Sequence, residues 1–360
     1  MFSVKPDYEN AQARMDAFWH HEDTDRPLIT MSFPRAGAKP FGPTKSHASL
    51  EDYWLDVEYR AEEAAHNMEN TVFYAEAMPV FMPNLGPEIL SAWAGCPYRF
   101  GEHTTWSEAC LLDWENDTAV MDINHPLAKK LEDFTKLLLE KAKGKFIVGL
   151  SDFHPGGDHL AALRDPQQLA FDLLEQPDKV KAKLASSYQE YFPIFDHYVR
   201  MLKAEGMPIS TWLPLTATDS MYVPSNDFSC MISKDMFDEF FLEGIAQECR
   251  HFGKSIYHLD GPGAIRHLDS ILSIPELNAI QWVPGDGQTE CDRWLDLYKQ
   301  VLNAGKSLFL EARTPEDLQF LMDHLPAKGL GISIWGARNE DDVETIMKMV
   351  SKNWTKGASA

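Results

Sequence analysis

Basic residues are scarce in this sequence, which holds 33 Lys and Arg against 55 Asp and Glu and so carries a formal net charge of −22 at pH 7. Such an excess of negative charge disfavours nonspecific binding to nucleic acid or to an anionic membrane surface. It also argues against a substrate that bears many carboxylates, unless Lys and Arg cluster locally. We therefore expect a small-molecule substrate rather than a nucleic acid or a membrane.

Long hydrophobic runs are also missing, because no apolar stretch approaches the roughly 18 residues that a membrane-spanning helix needs. The opening MFSVKPDYEN lacks the apolar segment of a secretory signal. The five cysteines are odd in number and form no CxxC pair, which argues against a disulfide framework or a four-thiolate zinc site. These absences predict a cytoplasmic protein with reduced, mostly buried thiols.

What the chain does contain is an alternation of short apolar segments with longer amphipathic ones. Predicted strands cover residues 28–33, 71–76, 146–151, 209–213, 255–259, 279–283, 307–311 and 331–335. Helical patterns or loops separate the strands, which is typical of a parallel sheet buried on both faces. Eight such units predict an α/β protein folded as a single (β/α)8 TIM barrel. An open doubly wound sheet is the alternative, although no GxGxxG motif follows the first strand.

The whole chain, residues 1–360, is predicted to form one domain. Residues 1–27 predict a leading helix, and residues 356–360 a frayed tail. Residues 77–126, after the second strand, are rich in Pro and aromatic residues and have little clear periodicity. A connection of this length without a helix is typical of a functional excursion, which we interpret as either a lid or a dimer arm.

The sharpest chemical signal lies at the end of the fifth predicted strand. In a barrel, active-site residues follow the carboxyl ends of the strands. His258 and Asp260 are two residues apart, so in an extended segment they project to the same side. An imidazole and a carboxylate suit Zn²⁺ and could equally perform acid–base chemistry. In the alternative interpretation, His258 is only hydrogen-bonded at the barrel mouth and Asp260 caps the next helix.

Two further strand ends carry candidate groups. After the third strand, Asp152 and His154 stand beside a glycine pair and are candidate proton-transfer groups, while Asp158 could simply cap the following helix. Glu311 closes an apolar strand and is therefore a candidate third metal ligand or a base of raised pKa. A salt bridge from Glu311 to Arg313 or Arg338 is the alternative.

Candidate substrate contacts are less specific. Arg35 and Arg338 follow the first and last strands, and their planar guanidinium groups could hold a substrate carboxylate or pair with the many acids of this chain. Tyr222 follows the fourth strand and Trp282 lies in the sixth, where each could line a flat apolar pocket. Core packing is the alternative for these aromatic residues.

Three runs of residues resemble the uroporphyrinogen decarboxylase superfamily. YHLDGPGAIRHLDSILSIPELNAIQWVPG looks like its fifth and sixth barrel strands, DFSCMISKDMFDEFFLEGI is similar to the segment before them, and DRPLITMSFPRAG sits where the decarboxylases carry an Arg-rich loop. The likeness extends over most of the chain from about residue 25 and is diffuse, with the order and spacing of elements in agreement. It implies a (β/α)8 barrel with a deep mouth, and family members often pair as homodimers.

The resemblance leads to two functional branches. Haem-pathway decarboxylases bind an octacarboxylate without a cofactor, but their Arg pair is reduced here to Arg35. The other branch contains zinc methyltransferases that work with corrinoid proteins and carry a His-x-Cys pair and a later Cys. In this chain the position of the His-x-Cys pair reads His258-Leu259-Asp260, and the region where the later Cys is expected has no Cys. The resemblance therefore implies an oxygen-rich site of His258, Asp260 and Glu311, in which Zn²⁺ would act as a Lewis acid.

Three hypotheses follow. The first is a methyltransferase that moves a methyl group from a small methylated compound, such as an O-methyl aromatic, to a corrinoid held by a partner protein, with Asp260, His154 and Asp152 as catalytic groups. The second is a metal-free decarboxylase or lyase, in which Arg35 and Arg338 would hold carboxylates. The third is a non-catalytic tetrapyrrole- or corrinoid-binding protein. Metal content separates the first hypothesis from the second.

Overall fold

The computed structural model describes residues 2–42, 44–285 and 287–354. Its strands are β1 (Leu28–Pro34), β2 (Thr71–Ala75), β3 (Val80–Phe81), β4 (Tyr98–Phe100), β5 (Thr105–Ser107), β6 (Ile147–Val148), β7 (Met221–Tyr222), β8 (Lys254–Asp260), β9 (Ala279–Val283), β10 (Ser307–Ala312) and β11 (Leu330–Ile334). Its α-helices are α1 (Tyr8–Trp19), α2 (Leu50–Leu55), α3 (Val57–Glu69), α4 (Ile89–Trp93), α5 (Pro126–Ala142), α6 (Gly157–Arg164), α7 (Pro166–Glu175), α8 (Pro177–Ala204), α9 (Lys234–Phe240), α10 (Leu242–Phe252), α11 (Gly261–Ala264), α12 (Leu268–Leu272), α13 (Leu295–Asn303), α14 (Pro315–His324) and α15 (Glu340–Asn353). Short 3-10 helices cover Asp227–Met231, Ile265–His267 and Cys291–Trp294. The predicted tail, 356–360, lies outside the described residues.

A seven-stranded sheet forms the centre of the fold, in the order β2-β1-β11-β10-β9-β8-β7. Neighbouring strands in it are parallel, except that β1 and β2 pair antiparallel. Two strand pairs stand apart from this sheet: β3 with β6 in parallel, and β4 with β5 as an antiparallel hairpin. The predicted α/β class with a central parallel sheet is thus confirmed.

The closed barrel is not confirmed, because within the described ranges the large sheet stays open between β2 and β7. The predicted second strand is β2, whose antiparallel pairing with β1 makes it an edge strand. The predicted fourth strand, residues 209–213, contributes only a single bridge from Ile209 to Ala217. The predicted third strand, residues 146–151, is reduced to β6, which pairs with β3 over two residues and stands apart from the large sheet.

A buried ion pair joins the start of β1 to the end of β2. The carboxylate of Glu76, which is 4% exposed, accepts hydrogen bonds from both terminal nitrogens of Arg26 at 2.6 and 2.7 Å and from the backbone N–H of Ile29 at 2.9 Å. Arg14 adds a third guanidinium nitrogen 3.3 Å from the same carboxylate. The fork geometry and the extra backbone donor satisfy a charge that would otherwise be costly to bury.

The helices cover the sheet with apolar faces. In α10, Ile245, Cys249 and Phe252 repeat at helical spacing and are buried together, and the buried face of α5 includes Leu131. The helix α1 occupies part of the predicted leading segment. In the ranges that the structure describes, no helix is both long enough and apolar enough to cross a membrane.

The excursion, residues 77–126, folds against this core. It contains β3, the fully buried helix α4 and the hairpin β4–β5. The backbone N–H groups of Cys110 and Leu111 both donate to the carbonyl of Leu163 in α6, at 3.0 and 2.9 Å. The excursion is therefore attached to the helix that follows β6, at the edge where the parallel strands end.

Candidate functional site

A cluster of metal-ligating side chains lies at the carboxyl end of β8. His258 and Asp260 alternate along the strand and share one side of it, and Asp227 at the start of a 3-10 helix lies beside them. One ligand atom from each of the three residues lies within 4.8 Å of the others. The imidazole of His258 is half-buried, whereas the two carboxylates are open to solvent. The spacing of two residues on β8 thus brings together the pair that the sequence singled out.

His258 is held in a defined orientation by its neighbours. Its Nδ1 lies 2.8 Å from Oε1 of Gln281 on the adjacent strand β9, and its ring meets the indole of Trp212 edge-on at 5.3 Å. Because an amide oxygen can only accept, Nδ1 donates this hydrogen bond, and in the neutral ring the lone pair is then on Nε2. This is the arrangement in which a histidine coordinates a metal while a neighbour fixes its tautomer.

A second polar network follows β6. Nε2 of His154 lies 2.8 Å from Oδ1 of Asp152, and Nδ1 lies 2.8 Å from Oγ of Ser225. The Ser225 hydroxyl in turn donates to Asp158 at 3.2 Å, and Asp158 also accepts the backbone N–H of Phe228 at 2.9 Å. Because the hydroxyl gives its proton to a carboxylate, it accepts from His154. Both ring nitrogens of His154 therefore act as donors.

The electrostatics agree with a charged His154. Burial by itself lowers the pKa of the imidazole, but the carboxylates of Asp152 and Asp158 outweigh it and raise that pKa well above its ordinary value. Burial likewise opposes ionisation of Asp158, yet the nearby His154, whose Nδ1 lies 3.9 Å away, and the N–H of Phe228 bring the pKa of Asp158 below its usual range. Asp227 is exposed as a residue, but partial desolvation of its carboxyl group and the charge of Asp158 raise the pKa of Asp227 to about 6. Among the described residues, Asp227 forms no salt bridge, whereas Asp152 and Asp158 lie 2.8 and 3.9 Å from ring nitrogens of His154.

Two cavities lie next to these groups. The first, of about 630 Å³, lies between the excursion and the β6 and β7 loops, and its wall includes His154, Asp158 and Asp227. The second, of about 550 Å³, lies over the ends of β1, β10 and β11, and its wall includes Trp212 and Gln281. Both of these residues contact His258. Of the cluster, Asp227 therefore lines the first cavity, and His258 contacts two residues in the wall of the second.

Within the part of the chain that the structure describes, neither cavity wall offers a guanidinium or ammonium group. Among the described residues that line the two cavities, none is Lys or Arg. Arg35 is exposed and donates to the backbone carbonyls of Glu69 and Thr71, away from both walls. Arg338 is 85% exposed and lies 3.8 Å from Asp342 in the following helix, α15. The structure brings neither arginine to the site.

Other predicted residues also lie outside the cluster. Glu311 lines the second cavity, but its carboxylate accepts two hydrogen bonds from Arg313, at 3.0 and 2.8 Å, and Asp227 lies where Glu311 was expected as third ligand. Tyr222 is fully buried, and its hydroxyl bridges the backbone of Ser151 and Phe153. Trp282 is buried against Trp294, with 5.0 Å between ring centroids.

Behind the β6 loop lies a carboxyl group that sequence reasoning missed. Glu248 of α10 is buried, and one of its oxygens accepts the hydroxyl of Tyr188 at 2.9 Å. Burial raises the pKa of Glu248 to about 8, so that the group is neutral at neutral pH. Asp227 and Gln281 were also missed as partners of His258. The only signal for Asp227 was its position after the fourth predicted strand.

Comparison with known proteins places the fold. No model of a known protein family matches the chain, and no curated protein matches it. Among solved structures, the chain is similar to a methyltransferase from Methanosarcina mazei, with a TM-score of 0.62 and 11% identity over 95% of this chain and 98% of that one. The likeness shows the fold. At this identity it concerns the path of the backbone and not the side chains of the site.

Proposed function

We propose that this protein is a methyltransferase of the corrinoid-dependent type, which moves a methyl group from a small methylated compound, such as an O-methyl aromatic, to a corrinoid on a partner protein. The observation that carries the proposal is the Asp227–His258–Asp260 cluster, of which Asp227 lines one cavity while His258 contacts the wall of another. Methyl transfer joins two reactants at one carbon, and in-line displacement needs access from opposite sides. The structural neighbour that bears the name methyltransferase supports this choice.

The donor set of the cluster fits a divalent cation. One imidazole and two carboxylates are ligands that Zn²⁺ accepts, and three protein ligands leave a coordination position open, as in catalytic zinc sites. The hydrogen bond to Gln281 leaves Nε2 of His258 free to coordinate. Asp227 and Asp260 bring two negative charges that have no cationic partner within the cluster. Bound zinc would supply Lewis acidity at the oxygen from which the methyl group departs.

The chain's own residues would handle the proton. When the methyl group leaves, the electron pair of the broken carbon–oxygen bond stays on the oxygen, which then takes up a proton. His154 holds a proton on the wall of the first cavity, and Asp152 and Ser225 orient its ring. The first cavity would bind the methylated compound. Its apolar residues, including Leu90, would exclude water from the reacting carbon.

The absence of Lys and Arg from the described cavity walls favours methyl transfer over decarboxylation. A decarboxylase must hold its substrate carboxylate, which normally requires a guanidinium or ammonium group. The wall of the first cavity holds one charged imidazole, His154, against five acidic residues, so its net negative charge would repel an anion. These acidic residues are Glu88, Glu108, Asp158, Asp165 and Asp227. We also propose that the segments 76–81, 146–151 and 209–213 complete an irregular (β/α)8 barrel around the second cavity, as the resemblance to the uroporphyrinogen decarboxylase superfamily implies.

The test combines metal content with turnover. Protein purified without an affinity tag or chelator should hold about one zinc per chain by elemental analysis. Asp227→Asn and His258→Ala should lose the zinc, whereas Glu311→Gln should keep it. With reduced cobalamin as acceptor and a panel of O-methyl aromatic compounds, formation of methylcobalamin should follow zinc content across these variants.

Failure to bind added Zn²⁺ would contradict the metal site and the transfer reaction that depends on it. Zinc binding without methyl transfer to any compound of the panel would leave a metal-binding protein of another activity. Release of CO₂ from a carboxylic acid by the zinc-free protein would favour the decarboxylase hypothesis instead.

A further inference from the structure

Two cysteines of the excursion meet at the base of the β4–β5 hairpin. The Sγ atoms of Cys96 and Cys110 lie 2.8 Å apart, although both are free thiols. Cys96 is buried shortly after α4, and Cys110 is half-buried three residues after β5. The spacing in the sequence gave no indication of this pair, because the hairpin between the two cysteines is what brings them together.

The segment that the two cysteines enclose forms part of the wall of the first cavity. Ser107, Glu108 and Ala109 line that cavity immediately before Cys110. On the other side, the backbone N–H of Cys96 donates to the carbonyl of Ser91, which also lines the cavity. A covalent bond between the two sulfur atoms would therefore close a ring of 15 residues, 96–110. The last residues of this ring before Cys110 form part of the wall of the first cavity.

The two thiols differ in pKa and in exposure to solvent. The thiol of Cys96 donates toward Cys110, and this hydrogen bond lowers the pKa of Cys110 while it raises the pKa of Cys96 above its ordinary value. The thiolate is the nucleophile in thiol–disulfide exchange, and access decides which thiol reacts. Cys110 has both the lower pKa and the greater exposure, and the buried Cys96 is in place to react second.

We propose that Cys96 and Cys110 form an oxidisable dithiol that is converted to a disulfide by low-molecular-weight disulfides such as glutathione disulfide. Cys110 as thiolate attacks one sulfur of the small disulfide, whose S–S bond breaks and releases one thiolate. Cys96 then loses its proton to solvent and attacks the sulfur of Cys110, which releases the second thiol. Two protein thiols are oxidised, and one small disulfide is reduced to two thiols. This proposal is independent of the methyltransferase function.

The first experiment counts thiols. The native protein is incubated with glutathione disulfide, quenched with acid, unfolded and titrated with a chromogenic thiol reagent. Of the five cysteines, two should disappear, to leave three. Peptide mapping without reduction should recover the fragment of Cys96 joined to that of Cys110. Loss of no thiols, or a cross-link that involves another cysteine, would contradict the proposal. This measurement uses the unaltered chain and does not depend on any variant.

The second experiment tests the order of attack. In Cys96→Ser, Cys110 should accumulate as a stable mixed disulfide with glutathione, because no second thiol resolves it. In Cys110→Ser, the buried Cys96 should react with glutathione disulfide at least about tenfold more slowly than Cys110 does in Cys96→Ser. Cys230→Ser removes an exposed cysteine elsewhere and should still lose two thiols. Equal rates of modification in the first two variants, with circular dichroism showing that both are folded, would overturn the assigned roles.

Discussion

The hydrogen bond from His258 to Gln281 offers a direct way to test the proposed metal site without altering a ligand. Gln281 is 8% exposed, and its Oε1 lies 2.8 Å from Nδ1 of His258. Gln281→Leu removes the acceptor and keeps a side chain of similar volume. We expect the affinity for Zn²⁺ to fall by about 10- to 100-fold, as is typical when a partner of a metal-bound histidine is removed. This corresponds to about 1.4 to 2.7 kcal/mol.

The magnitude follows from what the imidazole loses. Without Gln281, the N–H at Nδ1 of His258 has no acceptor in a half-buried position, which costs about 1 to 3 kcal/mol. The ring could avoid that cost by moving the proton to Nε2, but this removes the lone pair that the metal needs. Either response weakens coordination by a similar amount.

The assay is competition for Zn²⁺ against a chromophoric chelator at pH 7.5. Gln281→Glu is the matched variant, because a carboxylate accepts the same hydrogen bond, and it should bind zinc at least as tightly as the unaltered protein. Glu311→Gln changes another side chain of the same cavity that does not contact the cluster, and it should leave the affinity unchanged. The reasoning is refuted if Gln281→Leu retains full affinity, or if Glu311→Gln loses as much.

Three further predictions concern stability, measured by chemical denaturation of folded variants. Arg26→Gln removes the two terminal nitrogens that bind the buried Glu76 while Arg14 stays 3.3 Å from that carboxylate, so it should cost about 1.5 to 3 kcal/mol. Arg99→Gln, in the exposed pair with Glu108, should cost less than about 1 kcal/mol. Equal costs would contradict the assigned burial. Glu248→Gln should stabilise the protein increasingly as pH rises from 4.5, the ordinary pKa of the group, to about 8, its pKa in the fold. The reason is that Glu248 in the folded state retains a proton that the unfolded chain has released. The stability of the unaltered protein therefore falls across this window by up to about 1.4 kcal/mol per pH unit. A gain in Glu248→Gln that does not depend on pH would be inconsistent with a raised pKa. Leu131→Ala, at a fully buried position, should cost about 2 to 5 kcal/mol, while the exposed Leu112→Ala should stay within about 0.5 kcal/mol of the unaltered protein.

Most strands could be predicted because their pattern is local. The predicted 279–283 coincides with β9, and the predicted 255–259, 307–311 and 331–335 differ from β8, β10 and β11 by one residue at the ends. A short apolar run between helical segments is enough to indicate such a strand. The local pattern does not predict which strand a segment pairs with or in which direction. β2 has a clear strand pattern and yet pairs antiparallel with β1 at the edge of the sheet. At the end of β2, Ala75 has a positive φ of 53°, and Glu76 forms the ion pair with Arg26, a contact that only the folded chain brings together.

The same distinction, between what a local pattern predicts and what only the folded chain brings together, applies to the site. The sequence alone determined that His258 and Asp260 share a side of β8, because alternation along a strand is a property of the backbone. It also determined the acidic surface and the scarcity of basic side chains. Only the tertiary structure decided that Asp227 is the third group beside them, that Gln281 orients His258, and that Cys96 meets Cys110. These contacts join residues that are distant along the chain or separated by an irregular loop, and they depend on how whole elements pack, which no local pattern of residues encodes.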